Sequence, residues 1–452
     1  MINGRRADDN FNPTLYGNDL MSKDKIINFA LLGCGKLGSG FYSILKNKRN
    51  KIFEETGFQL NLKRILVKNA HYRRPSFIDR SLITANINDI LEDPSIDLAI
   101  DAIGGIEPTY SIIRKLINRK IHIVSANRVL LASKMHELVD LANENNVYIQ
   151  PEPSLGGGVP IISALQRDLR ANNITSLTGI ISGTSNFILT EMTEKKIPME
   201  EALKSAPMQK MAESLSIIDY EGSDAAQKVS IMAASAYGVD VGFMQIYAEG
   251  ISDVTAFDIE CAAQFGYVFK LLAILKNHQD SVEIRVHPTL VPKEHPLALV
   301  RGEYNAYFMQ TDLLGDYMLL GRGVGIEAAS SLILRDILAI GQIVRSGHSK
   351  EGYRLKWSAK QIMPVEDVRT SYYVRFPCHD RPGVIGLITM TLGDFNINIT
   401  SAHAESSRKE NSDSGFVHIL IDQATEKDIR LAIEEINRKN IICDRVKYFR
   451  IL

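Results

Sequence analysis

The sequence predicts an α/β protein in three parts: a parallel sheet covered by helices, a mixed α+β middle, and a closing βαββαβ unit. Three observations predict it. From Lys25 to Pro151, strand-like apolar runs alternate with helical stretches, which is the pattern of a parallel sheet with helices on both faces. After Pro151 the chain turns glycine-rich and mixed in character. From residue 370 onward the order strand, helix, strand, strand, helix, strand can be read by itself.

Each element has a local reason. "KIINFALLG" reads as a buried strand over residues 26–32, and "KLGSGFYSILKNKRNKI" as the helix after it. "LKRILV", "SIDLAIDAIG" and "IHIVSA" are the next strands, with the helix "TYSIIRKLINRK" between the last two. "PSLGGGVPII" is a glycine-rich turn opening a helix, residues 174–182 read as a strand, and residues 254–277 read as largely helical. Residues 305–325 suggest two strands joined by a turn. The long apolar helix 330–344 is expected to return to the first sheet, and the polar stretch 346–369 reads as a linker. Beyond it, "RPGVIGLITMTLGDF" reads as a helix with Pro382 in its first turn. "INITSAHAE" and "SGFVHILID" are strands around the polar loop "KENSDS", and Thr425 caps the helix "TEKDIRLAIEEINRK". "SYYVRFPC" and "IICDRVKYFRI" are the outer strands of this unit, which is ferredoxin-like in order and reads as self-contained.

The totals exclude several function classes. A formal net charge of −1 argues against nucleic acid or an anionic membrane surface as partner. Four cysteines without CxxC spacing argue against zinc and disulfide frameworks and fit a reducing, cytoplasmic setting. No apolar run reaches the roughly 18 residues of a membrane span. The opening residues 1–24 are polar, lack the apolar core of a signal peptide, and read as a loose tail.

"GCGKLG" places Gly33, Gly35 and Gly38 as G-x-G-x-x-G between a strand and a helix. The first glycine makes the tight turn, the second admits a pyrophosphate, and the third lets helix and strand approach. This context makes the first part a Rossmann-type dinucleotide-binding domain. The second strand ends in Lys68, Arg73 and Arg74 without an acid, which favours the 2′-phosphate of NADP over NAD. Arg73 and Arg74 can equally be solvated surface charges.

"DYEGSDAAQK" places Asp224 and Lys228 four residues apart, on one face of a helix. One reading is a surface ion pair that stabilises the helix by about 0.2–0.5 kcal/mol. The other is a working pair, with Lys228 handling a proton and Asp224 aiming it. Spacing does not decide between them.

Several long motifs in a fixed order carry a resemblance. They are "DAIGGIEPTYSIIRKLINRKIHIVSANRVLLA", "EPSLGGGVPII", "GIISGTSNFIL", "EGSDAAQKVSIMA", "EGISDVTAFDIECAAQFGYVFKLLAI" and "HPLALVRGEYNAYF". Together they resemble the homoserine dehydrogenases over residues 25–452, and "DRPGVIGLI" resembles the start of an ACT regulatory domain. The resemblance implies NAD(P)-dependent interconversion of L-aspartate 4-semialdehyde and L-homoserine, in threonine, methionine and isoleucine biosynthesis. It implies Lys228 as proton donor to the carbonyl oxygen, Asp224 as its partner, and Glu213, Asp219 and Arg128 as substrate contacts. The expected cofactor contacts are Gly33, Gly35, Lys36, Leu37, Gly38, Lys68, Ile103, Gly104, Ser125, Ala126, Arg128 and Gly325. A monovalent cation such as Na+ is expected near Glu152, held by the carbonyls of Leu155, Gly157 and Val159.

The chain departs from the family at several positions. Arg128 stands where a lysine is usual, and arginine keeps the charge without yielding its proton. Ser214-Leu215-Ser216 and Ile218 replace a usual Ala-Asp-Pro and an acid, and Ala328-Ala329 replace Pro-Thr. Two alternatives therefore stand beside the main reading: a same-fold oxidoreductase acting on another amino aldehyde, and a catalytically weak regulator that binds nucleotide and amino acid. The expected parts are the tail (1–24), the cofactor domain (25–152, completed by 326–345), the substrate and dimerisation domain (153–325), the linker (346–369) and the ACT-like domain (370–452). An amino-acid effector at the last part and a homodimer or homotetramer complete the expectation.

Overall fold

The computed structural model describes residues 25–205, 221–346, 355–406 and 414–452. The opening tail, the stretch holding Glu213 and Asp219, and most of the polar loop after Ser406 lie outside the described residues.

The first sheet is built from short apolar strands. β1 (Ile26–Leu32) is followed by α1 (Lys36–Thr56), which ends at Gly57 in the left-handed conformation (φ 71°) that closes helices. Then come β2 (Gln59–Leu66), β3 (Ile83–Thr84), β4 (Leu98–Asp101), α2 (Thr109–Asn118), β5 (His122–Ser125), α3 (Arg128–Asn145) and β6 (Ile149–Gln150). The six strands are parallel in the order β3-β2-β1-β4-β5-β6. The order reverses between β1 and β4, and such a switch point opens a crevice at the strands' carboxyl ends.

The chain continues with β7 (Ile174–Ile180), α4 (Gly183–Lys195), α5 (Ser223–Tyr237), β8 (Tyr247–Ala248), α6 (Ala256–Gln264), β9 (Tyr267–Asn277) and β10 (Ser281–Pro292). β11 (Tyr304–Thr311) and β12 (Gly315–Arg322) form a hairpin, and α7 (Ile326–Ser346) follows. α7 places Ile333, Ile337 and Ile340, one helical stripe, in the same core as Ile27, Phe29 and Leu31 of β1. A Cβ on Gly341 would lie 2.0 Å from the Ile27 Cδ1, so a larger residue there would push that side chain aside. The remaining elements are β13 (Gln361–Ile362), β14 (Arg369–His379), α8 (Val384–Asp394), β15 (Ile399–Ser406), β16 (Ser414–Thr425), α9 (Glu426–Arg438) and β17 (Lys447–Ile451).

Four expectations need correction. Residues 267–277 form a strand, not helix: β9 is buried along most of its length between β7 and β10, with α4, α5 and α6 packed against it. A continuous apolar run fits either state by periodicity, and pairing decides. The βαββαβ unit is not self-contained. Its last strand pairs with β10 at Thr289–Arg450 and Leu290–Ile451, so both parts share one 11-stranded sheet. The described part of the expected linker is docked: β13 pairs with β10, and Trp357 stacks on His136 of α3 at 4.3 Å. Pro382 lies outside α8, because Gly383 (φ 92°) caps it and Val384 opens it. Thr425 does cap α9, accepting the Asp428 N–H. Tyr372 and Tyr373 alternate across β14, Tyr372 facing the terminal unit's own core and Tyr373 facing Phe265 of the middle part.

Candidate active site

The three loop glycines have separable reasons. Gly33 (φ 99°) donates its N–H to the Leu66 carbonyl at 2.9 Å, and a Cβ there would lie 2.5 Å from the Ala102 carbonyl oxygen. A Cβ on Gly38 would lie 2.3 Å from the Gly33 oxygen. A Cβ on Gly35 would meet nothing within 4 Å. The outer glycines are thus required by the protein, and the middle one faces open space where a ligand can approach. Lys36 and Leu37 open α1, whose first amides lack intrahelical acceptors and suit an anion.

Beside the loop lies a cleft of ≈ 690 Å³, lined by Gly33, Gly35, Lys68, Arg74, Ile103 and Pro108 among others. Arg74 is held by the carbonyls of Asn69 (2.8 Å) and Tyr72 (2.9 Å). Burial raises the Cys34 thiol pKa, and the nearby Arg74 guanidinium opposes this. Arg73 does not line this cleft and sits beside Arg80 on a neighbouring surface. On the other side of β1, Gly104 adopts φ 85°, Ser125 is buried, and the Ala126 N–H donates to the Asp101 carbonyl at 2.9 Å. Gly325 (φ 124°) immediately precedes α7.

Three elements bring the charged cluster together. Asp224 lies in the first turn of α5, after Gly222 (φ 91°), and Lys228 follows one turn later. Each is only 6% exposed, so the reading of a solvated surface pair does not hold. The Lys228 Nζ lies 2.7 Å from the Asp224 Oδ2 and donates to the Ile181 carbonyl at 2.9 Å. Arg128, first residue of α3, pairs with the other Asp224 oxygen and donates from Nε to the Ser154 carbonyl at 3.0 Å. A Cβ on Gly156 would lie 3.1 Å from the Arg128 guanidinium and 3.9 Å from the Lys228 chain, so this turn closes over the cluster. Two cations share one carboxylate, which leaves the group formally positive. Such a buried site suits a substrate oxygen that gains negative charge.

Glu152 is fully buried and occupied. It accepts the N–H groups of Ile162 and Ser163, both at 2.8 Å, and pairs with Arg335 at 3.1 Å. Burial raises its pKa, against Arg335 and the two amides. Its carboxylate therefore anchors the 152–163 segment. The Val159 carbonyl accepts the Ile161 N–H at 2.9 Å, and Gly157 packs against Asn305, whose Oδ1 is buried without a hydrogen-bond partner. Among the described residues no three His, Cys, Asp or Glu side chains are arranged to hold a metal. Glu213 and Asp219 lie outside the described residues.

The carbonyls of Ser154 and Ile181, which orient Arg128 and Lys228, were not anticipated. Backbone acceptors carry no sequence signal. Asp101 was also missed, although an acid ending the apolar strand "LAID" is a visible anomaly.

Residues 160–338 match the family model for homoserine dehydrogenase, residues 33–152 that for the homoserine dehydrogenase NAD-binding domain, and residues 372–439 that for the ACT domain. A homoserine dehydrogenase of Synechocystis sp. is 33% identical over 437 residues, covering 94% of this chain and 99% of the relative. One from Bacillus subtilis is 30% identical, covering 94% and 98%. The crystal structure of a homoserine dehydrogenase from Thiobacillus denitrificans superposes with a TM-score of 0.86 at 32% identity, covering 95% of this chain and 98% of that one. The S. aureus enzyme superposes with a TM-score of 0.75 at 30% identity, covering 94% and 99%. With the NAD-binding, homoserine dehydrogenase and ACT models matched in that order along the sequence, and relatives of 30% identity or more spanning nearly all of it, the chain belongs to the homoserine dehydrogenase family of NAD(P)-dependent oxidoreductases.

Proposed function

We propose that this protein reduces L-aspartate 4-semialdehyde to L-homoserine, with Lys228 delivering the proton to the carbonyl oxygen. The observation that carries this reading is the buried Asp224 carboxylate held between Arg128 and Lys228. When bound, the reduced dinucleotide supplies the hydride. Lys228 stabilises the charge that gathers on oxygen and then protonates it. Asp224 aims the lysine, and the Ile181 carbonyl fixes its reach. Arg128 contributes charge and orientation but no proton. Glu213 and Asp219 would bind the substrate's ammonium.

Gly33, Gly35, Lys36, Leu37 and Gly38 would hold the pyrophosphate, with Ile103, Gly104, Ser125, Ala126, Arg128 and Gly325 near the nicotinamide. Lys68 and Arg74 both line the cleft beyond β2, which supports NADP as the preferred cofactor. A monovalent cation would be held by the carbonyls of Leu155, Gly157 and Val159, near the unpartnered Asn305 oxygen, with Glu152 fixing the segment from behind. The same reading divides the chain into a cofactor part (25–152 with 326–345), a substrate and dimerisation part (153–325) and an amino-acid-responsive part (370–452). Leu313, Leu314 and Leu320, all exposed on or beside the edge strand β12, support self-association.

Steady-state turnover of aspartate semialdehyde with NADPH tests the proposal, with Lys228→Ala as control. Turnover by the wild type and its loss in the variant are expected. Dinucleotide binding without turnover of any aldehyde would refute it. If wild-type turnover is weak, Arg128→Lys reports whether that substitution is the cause.

A further inference from the structure

We infer that Asp101 is a positioning residue that holds the loop 103–105 and the turn 125–128 together, and so sets the nicotinamide end of the cleft against Arg128. The inference rests on the hydride-transfer reading above.

Asp101 ends β4, a strand whose four residues are all buried, and is itself 0% exposed. A carboxylate in that position is costly unless its oxygens find donors. Oδ1 accepts the Ile103 N–H at 3.2 Å and Oδ2 accepts the Ser125 hydroxyl at 3.0 Å. The network then spreads along both loops. The Ser125 Oγ accepts the Asn127 N–H at 3.2 Å, and the Asn127 side chain donates to the Gly105 carbonyl at 2.7 Å. The Asn127 Oδ1 also accepts the Leu130 N–H, capping α3, the helix that begins with Arg128. Thr109 donates to the Gly104 carbonyl at 3.2 Å. One carboxylate therefore ties Ile103 to Ser125, and through Asn127 reaches Gly105 and the start of the helix bearing Arg128. β4 lies on one side of β1 and β2, which leads to Lys68 and Arg74, on the other, while Ile103 lines the cleft together with those cations. Ser125, Asn127 and the start of the helix bearing Arg128 lie on the β5 side only. Asp101 should thus act on the nicotinamide end more than on the adenosine end.

Two ligands distinguish positioning from general support: NADPH, and 2′-phospho-ADP-ribose, which lacks the nicotinamide. Their affinities for the full-length Asp101→Asn variant are measured by calorimetry, and kcat and KM with aspartate semialdehyde by absorbance. The expected result is NADPH affinity weakened by about tenfold or more, reduced kcat, and 2′-phospho-ADP-ribose affinity weakened clearly less. Equal weakening of both ligands, or no change in NADPH affinity and kcat, overturns the inference. If Asp101→Asn does not fold, Asn127→Ala cuts the link from the same network to Gly105 and must give the same split, smaller in size. If the wild type turns over no aldehyde, the proposed reaction fails, while the two affinities still report on Asp101.

Discussion

The glycine loop and the Arg128–Asp224–Lys228 cluster lie in one molecule but are built on opposite plans. The loop is local: residues 33–38 form a turn whose shape follows from their own sterics and the ends of the two adjoining strands, β2 and β4. The cluster is assembled from the starts of α3 and α5 and two carbonyls, with almost a hundred residues between Arg128 and Asp224. Local sites tolerate loss of one ligand-facing group without unfolding. A buried charge cluster does not tolerate loss of its shared anion, because removing Asp224 leaves two cations without a counterion.

That contrast can be broken most severely at the cluster. Lys228→Met should lower kcat by about 10²–10⁴-fold with little change in Tm, because Arg128 still neutralises Asp224. Asp224→Ala should instead destabilise the fold by about 3–5 kcal/mol, since two cations then lack their shared anion. Comparing kcat and Tm for the two variants tests the claim, and equal Tm losses would contradict it.

The loop sharpens the comparison at smaller scale. Gly38→Ala should cost about 1–3 kcal/mol of stability, because its methyl would meet the Gly33 oxygen. Gly35→Ala should leave urea unfolding unchanged and weaken dinucleotide binding about tenfold, since its methyl would point into the open cleft. Weaker still, Arg74→Ala should lower the preference for NADP over NAD by about tenfold or less, with the effect shrinking as salt rises. Arg73→Ala, outside the cleft, should not alter it.

A separate readout is pH dependence. Burial raises the Asp336 pKa to about 7, against the opposing Arg335; Glu152 raises it further, and Arg167 lowers it. Asp101 shifts the same way, to about 6, chiefly by burial against its hydrogen bonds. A carboxyl with a raised folded pKa binds more protons folded than unfolded between the two values. Its stabilising contribution is complete below the unfolded pKa and is lost as pH rises through the folded one. Unfolding free energy should therefore fall from about pH 4 to about pH 7 on account of these groups. Asp336→Asn should flatten the slope in urea titrations across that range.

Legibility followed the same division. The glycine loop, the i, i+4 pair, the Thr425 cap and the βαββαβ order could be read because each depends on neighbours in the chain. β9 could not, since an apolar run buried on both faces has no period that separates strand from helix. Nor could the burial of Asp224 and Lys228, which depends on the turn around Gly156 closing from elsewhere in the sequence. Arg74 and Arg73 are adjacent and chemically identical, yet only Arg74 of the two lines the cleft beside the glycine loop.

Sequence alone determined the dinucleotide turn, the family and the three-part order, because these rest on residue type and short-range spacing. Tertiary structure decided the rest. It made the Asp224–Lys228 pair a buried cluster by adding Arg128. It made Asp101 the link between two loops. It also joined the terminal unit to the middle sheet through one free edge of β10, where β13, β8 and β17 pair in succession. A strand edge binds whatever chain can reach it with unpaired amides and carbonyls, so which segment takes the place is settled only when the whole fold closes.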